Sequence, residues 1–528
     1  MINPRYILVC LLFLMPFQAC TNNGSSGGGG GGTFTVSTTT APFGIVGSNY
    51  SATLAASGGT PPLTWSLSGG TLPDGLVLNG AAGTVTGTPT AAGNSTATFT
   101  VRDSTGQTGT GSVLFAMDLR TDRVSVDNSG TRGNGASSTP SISGDGSLVA
   151  FVSQATNLVT GVSGSQIYVH NRQTNQAEVV SRDSNASVIQ GNGVSSAPAI
   201  SADGRFVTFV SQSTNLVPNV SGQQVYLRDR QTGKTTLVSS SSSGVISNGI
   251  VNDAPSISSD GQFIAFASNA TNLGSGVSTQ QIYLRDNIAG TTTLISKDNS
   301  SVPLPGNAAS DHPWVNSDGR FIAFASLATN LAVVVGGNQQ IFLHDRLAGP
   351  NGTTSLISRD SSGNAGNGPS STPSVSGDGR FVTFASVATN LVVGSNGPQI
   401  YLHDQDTGVN GTNSLVSQNS SGVPTQGGNG VSSVPSISLN GKVVAFVSLS
   451  SDLLTGISGQ QVYSRDLAAG TTSLVSRDNN LSLIPGSGAS TSPSASSDGS
   501  FVAFSSQSNN LVPVPPAALS DIYVRALP

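Results

Sequence analysis

Between residues 198 and 239, apolar and polar positions alternate in four short bursts. They are Pro198-Ala-Ile-Ser201, Arg205-Phe-Val-Thr-Phe-Val-Ser211, Gln224-Val-Tyr-Leu-Arg228 and Thr235-Thr-Leu-Val-Ser239. A period of two sends successive side chains to opposite faces, so each burst predicts a β-strand. Asp203-Gly204 separates the first two and Gln231-Thr-Gly233 the last two. Glycine takes a positive φ without a Cβ clash, so both joints predict hairpins. Four antiparallel strands joined in this way predict one blade of a β-propeller.

The pattern recurs. Its turn pairs begin at Asp145, Asp203, Asp260, Asp318, Asp378, Asn440 and Asp498, at spacings of 58, 57, 58, 60, 62 and 58 residues. So regular a period predicts a repeat array. Fourth-strand serines fall only at Ser181, Ser239, Ser296, Ser358, Ser417 and Ser476, and the seventh unit stops after Asp521-Ile-Tyr-Val-Arg525. The missing strand is expected in Asp122-Arg-Val-Ser125-Val-Asp127, in phase because Ser125 precedes Asp145 by the 20 residues that separate Ser358 from Asp378. Pairing it into the last blade would close a seven-bladed ring and remove two exposed sheet edges. Residues present in every blade then read as fold. Phe381 and Phe384 fill space between blades, Asp378-Gly379 makes a turn, and Asn390 suits a local backbone-bonding turn.

These repeats resemble bacterial TolB-like, WD-repeat-like propellers, whose blades carry Ser-x-Asp-Gly-Arg before an aromatic strand and Ile-Tyr before a polar third-strand end. The resemblance covers about Asp122 to Pro528, within a propeller domain expected over residues 119–528. Related repeats often carry Asp where this chain has Gln166, Gln224, Gln281, Gln340, Gln399 and Gln461, and only Asp521 keeps the acid. An ion-dependent role for that position is not expected. Residues 33–118 differ, with short alternating runs such as Leu63-Thr-Trp-Ser-Leu67 and Ala97-Thr-Phe-Thr-Val101 between Gly, Pro and Asp-Gly. They predict a β-sandwich. Leu72-Pro-Asp-Gly-Leu76, Gly87-Thr-Pro89 and Phe99-Thr-Val-Arg-Asp103 resemble the immunoglobulin-like domains of bacterial surface proteins. Trp65 is expected in its core. The fold class is therefore all-β: an Ig-like sandwich followed by a seven-bladed propeller.

Only 9% of the 528 residues are charged, so Ser, Thr, Asn and Gly must cover the surface, as in an extracytoplasmic protein. The net charge of -5 has no basic patch, which excludes nucleic acid as a partner. Residues 1–19 read as a signal peptide, with Arg5 before the apolar run YILVCLLFLMPF. The signal ends in FQAC, which resembles a lipobox, with Cys20 as the lipidated residue. Residues 20–32 form a Gly/Ser-rich tether. The expectation is a monomeric lipoprotein of the bacterial cell envelope, held by its lipid to a membrane, the outer membrane by the resemblance.

No catalytic constellation is apparent, and neither metal nor cofactor is expected. His170, His344 and His403 occupy a third-strand position that is Arg228, Arg285, Arg465 or Arg525 elsewhere, and should point outward. Asp404-Gln-Asp406-Thr-Gly408 lacks the ligands of a calcium loop. One departure from the repeat stands out. First strands carry Pro-Ser in most blades, as in Thr-Pro-Ser or Ala-Pro-Ser, but the fourth has Asp311-His312-Pro313-Trp314, of which Asp311, His312 and Trp314 are the candidate binding residues. Loops after second and fourth strands, such as 388–398 and 419–435, are long and share one face of the disc. Binding is expected there, to an envelope or extracellular protein or a glycan. The expected function is a non-enzymatic binding or scaffold module. The alternatives are a propeller-type polysaccharide hydrolase or lyase, and a purely structural surface module.

Overall fold

The computed structural model describes residues 34–528 apart from 43, 48, 185–188, 252, 333–336, 396, 480–483 and 513–518. The signal, Cys20 and the tether lie outside the described residues. Residues 34–118 form a sandwich. A four-stranded sheet built on Thr64–Gly70, Gly93–Arg102 and Thr108–Asp118, with Gly44–Ile45 at its edge, faces a three-stranded sheet of Tyr50–Thr53, Thr84–Gly87 and Leu76–Asn79. The alternation is visible in Gly93–Arg102, where Ala97, Phe99 and Val101 are buried. Trp65 is buried with Phe99 and Phe115, which meet edge to face at 6.2 Å. It is a core residue, as expected.

Seven four-stranded sheets follow in a ring. Blade 1 is Ser137–Ile142, Leu148–Ser153, Gln166–Asn171 and Gln176–Val179, and blades 2 to 6 repeat that order. Blade 7 takes three strands from Ser490–Ala495, Phe501–Ser506 and Asp521–Ala526 and its fourth from Thr121–Arg123, pairing Asp122 with Val524. The closing strand is thus found in the expected segment, shifted toward its N-terminal end. Its first strand also packs on blade 1, which completes the circle.

The repeated residues explain the ring. Asp203 accepts hydrogen bonds from the Arg205 amide and the Ser201 hydroxyl, and Ser201 accepts the Phe206 amide, so Ser-x-Asp-Gly-Arg closes its own turn. The turn glycine is also required by a neighbour. Gly379 has φ +81° and lies under the Phe321 ring of the preceding blade, where a Cβ would clash. Second- and third-strand aromatics stack within a blade, as Phe384 and Tyr401 do at 5.8 Å, and pack against the alanines of the blade before. Burial of these rings between adjacent sheets is the apolar driving force for closing the disc.

Because the strands alternate in direction, the turns after first and third strands share one face and the longer loops share the other. First strands line the axis.

Candidate functional site: the long-loop face and the channel mouth

The long loops are held by side-chain clasps. In blade 5, Asn367 donates to Thr389 Oγ1 and accepts the Thr389 amide, while Asn390 accepts the Asn367 amide and donates to Ala365 O. Asn390 thus bridges two loops. It does not make a local turn, and a single repeat gave no sign of the cross-loop partner. The same exchange joins Asn134 to Thr156 and Asn157, and Asn192 to Thr214 and Asn215. Part of each fourth-to-first-strand loop folds back as a hairpin on the next blade, as where Asn299 exchanges hydrogen bonds with Thr354. The described, clasped parts of these loops are therefore preorganised.

The glutamines at the position where the resembling repeats carry an acid are structural. Gln340 donates to Gly366 O and accepts from Ser358, whose Oγ takes the Ile341 amide. The acid survives where the ring closes. There Asp521 accepts from Ser125 at 2.9 Å and pairs with Arg132 at 2.7 Å and Arg123 at 3.2 Å, while buried to 2% side-chain exposure. Its charge is matched by two guanidiniums, so the position binds the two ends of the ring together.

The three third-strand histidines correct the sequence reading. His170, His344 and His403 are buried, and His344 on Thr354 and His403 on Asn413 prop the outer seams. Arg228 does the same by donating to Asp183 O and Thr235 Oγ1. Burial lowers the pKa of His170 and of His344 to about 4. Both are neutral at pH 7. Asp404, the start of the calcium-like stretch, is occupied by a two-point pair with Arg380 at 2.8 Å. Among the described residues no three His, Cys, Asp or Glu side chains gather as metal ligands would.

Asp311, His312 and Trp314 do come together, in the first strand of blade 4 (Ser310–Val315), but with different roles. A β-bulge falls between Asp311 and Trp314, and His312 sits at φ +51°. Thr139, Ala197, Thr372, Val434 and Ser492 hold the same strained position in five other blades. The bulge belongs to the fold, and the imidazole is what is peculiar to blade 4. His312 Nδ1 lies 2.9 Å from Asp311 Oδ1, which also accepts from Gln339. The His312 amide donates to Asp253 Oδ2, which is 3.5 Å from Nδ1. Hydrogen bonding to Asp311 raises the His312 pKa against the opposing effect of burial. Asp253 was missed, although Asp253-Ala254-Pro255 aligns with Asp311-His312-Pro313 one repeat later. The other five blades have Ser138, Ser196, Ser371, Ser433 and Thr491 there. Two adjacent blades thus place carboxylates where the rest place hydroxyls.

Trp314 is half-buried against the blade 5 core and also walls the central cavity of about 300 Å³. Its column is serine in five blades, and these serines have a task. Ser494, Ser141, Ser256, Ser374 and Ser436 each accept an amide from the next blade, at 2.9 to 3.2 Å. Trp314 and Ala199 are the two interruptions, so the tryptophan gives up a seam bond for an aromatic wall.

The long-loop face has a second asymmetry. The residue after each second strand is Gln154, Gln212, Asn269 or Gln507 in four blades, but Leu327, Val387 and Leu449 in blades 4 to 6. These three are 45%, 40% and 50% exposed, with Val431 and Val434 beside them in sequence register. These three form an aliphatic arc over three adjacent blades. No aromatic side chain among the described residues is exposed.

Comparison with known proteins adds to the fold. Residues 32–117 match the Putative Ig domain family. No curated protein matches the chain. Solved propellers are similar over most of it. An oligogalacturonate lyase in complex with manganese is 14% identical, with 78% of this chain and 97% of that one covered and a TM-score of 0.48. The putative TolB from Agrobacterium tumefaciens is 17% identical, at 75% and 100% coverage and a TM-score of 0.37. The β-propeller domain of the Trilobed protease from Pyrococcus furiosus is 11% identical, at 75% and 94% and 0.45. Such likeness transfers no chemistry to this chain.

Proposed function

We propose that the chain is a non-enzymatic binding or scaffold protein, anchored in a bacterial envelope through Cys20, whose long-loop face docks a protein partner. The aliphatic arc of Leu327, Val387 and Leu449 carries this reading. Exposed apolar side chains at one position of three adjacent blades, on a clasped rim, are what a protein interface core needs. A glycan partner would call for exposed aromatic rings to stack on its sugar faces, which the described part of this face lacks. The Ig-like sandwich then acts as a spacer between anchor and disc.

The enzymatic reading, a polysaccharide hydrolase or lyase, draws its support from Asp253 joining Asp311 and His312. Glycoside hydrolysis needs two carboxylates free to act across a sugar. Here both lean on one histidine, which favours binding over turnover.

The test is affinity capture from envelope extracts with the Leu327→Ser, Val387→Ser, Leu449→Ser triple variant beside the unaltered chain. A protein retained by the unaltered chain and lost by the variant, with equal thermal stability, is the expected result. Equal retention by both would refute the docking face.

A further inference from the structure

We propose that the central channel is a binding site for an aliphatic ammonium group, its carbon chain inside the cavity and its charged end at Asp253 and Asp311. This site does not depend on the aliphatic arc, although Val434 beside that arc also lines the cavity. The cavity of about 300 Å³ is walled by Pro140, Pro198, Pro255, Ile200, Ile257 and Trp314. It lies at the small end of ligand-pocket sizes, which suits a narrow, largely apolar body.

The two ends of the channel differ. At the tight-turn end the blades are stitched to each other through their backbones. Gly144 donates to Ala202 O, Ala202 to Ser259 O, Ser259 to Ser317 O, Gly377 to Leu439 O, and Ser497 back to Gly144 O. The Asn316 side chain spans the seam between blades 4 and 5 by donating to Gly377 O, and the Asn440 amide spans the next but one by donating to Ser497 O. The long-loop end is stitched too, as where Ser195 donates to Ser165 O, Ser370 to Gln339 O and the His312 amide to Asp253, but there two of the seven equivalent positions are carboxylates. Ala254 and Pro255, next to Asp253, are cavity wall, and so is Trp314, three residues beyond Asp311.

The charge at this mouth selects the ligand. Asp253 and Asp311 share His312 as their neutralising group, and the Asp311 side chain stays about one-third exposed. Asp311 Oδ2 accepts no hydrogen bond among the described residues. An anion would meet two carboxylates, and a neutral chain would leave that oxygen unused. An ammonium group gains both carboxylates and an aromatic wall, since an indole face attracts organic cations. The ammonium could be a free amine or a lysine side chain of a docked protein.

The chain has two tryptophans, and Trp65 is buried in the sandwich. A Trp65→Phe background leaves Trp314 as the reporter, titrated with n-hexylamine, hexan-1-ol and hexanoate at neutral pH. Saturable change in Trp314 emission with the amine, absent with hexanoate, is expected. The Asp253→Asn, Asp311→Asn double variant should weaken the amine by roughly tenfold or more while leaving any hexanol response unchanged. Ala199→Leu, which narrows the bore at the other serine interruption, should weaken every probe. A Gly-Lys-Gly peptide binding more tightly than hexylamine would identify a protein lysine as the source, and the reverse order a free amine. No saturable response, an equal response to hexanoate, or unchanged amine affinity in the double variant would overturn the proposal. Circular dichroism of each variant separates loss of the site from loss of the fold.

Discussion

On the tight-turn face, charge is abundant and consumed locally. Arg205, Arg320 and Arg380 each grip a third-strand aspartate, Asp229, Asp345 and Asp404, and each lies over the phenylalanine that follows it, at 4.6 to 4.7 Å. On the long-loop face, amide clasps hold the loops, and the two-carboxylate mouth is the conspicuous charged feature. The first face repeats itself because its residues build turns and seams. Among the described residues the second departs from the repeat at Asp253/Asp311, at Trp314 and along the aliphatic arc. A side chain found in every blade serves the fold, so departures such as these can give one part of the ring its own task. The tight-turn face does expose Ile288, Leu347 and Val409, each on its own turn tip. They provide the matched control.

The comparison presumes a closed ring, and the largest expected effect comes from opening it. Asp521→Asn leaves Arg123 and Arg132 facing an uncharged amide, and should cost about 3–5 kcal/mol in denaturant unfolding, as breaking a buried pair does. Intact binding with an unfolding midpoint matching the unaltered chain would show that closure does not rest on this pair.

Acid should loosen the disc from its outer seams. The pKa values of His170 and His344 are near 4 folded and near 6.5 unfolded, so the unfolded chain binds more protons between these limits. Their contribution is complete above pH 6.5 and is lost as pH falls toward 4, on the order of 2–3 kcal/mol for each. Stability measured across that window in a His170→Gln, His344→Gln variant should show a flatter slope than the unaltered chain.

Asn390→Ala removes one clasp. About 1–2 kcal/mol of stability should go, with faster amide exchange in loops 365–368 and 387–391 and none on the tight-turn face. Arg380→Ala on the opposite face should give the smallest effect, because the Arg380 guanidinium is partly open to solvent, which screens its ion pair. Its thermal midpoint should stay close to that of the unaltered chain, with partner capture unchanged.

How much of this was legible in the sequence follows from where the interactions run. Contacts within a repeat were readable. Alternation placed the strands, Asp-Gly the hairpins, and the phase of Ser125 the closing strand. Contacts between repeats were not. The burial of His344 beneath a neighbouring hairpin and the serine-to-amide bonds along the axis join segments whose proximity depends on how blades sit against each other, while the Asn390 clasp lies within blade 5 but links loops that alternation does not pair. Asp253 lies between the two cases. Its column position was visible by aligning the residue–residue–proline triplets, but its contact with His312 appears only when blade 3 meets blade 4. The signal and Cys20 fall outside the described residues.

The central claim is that the two faces differ in function, and site-specific photo-crosslinking in cells tests it most directly. A photo-reactive residue would replace Val387 on the aliphatic arc or Ile288 on a tight-turn tip, both exposed. A discrete protein adduct from position 387 and none from 288 is the expected result. An adduct from 288 alone, or the same adduct from both, would contradict the account.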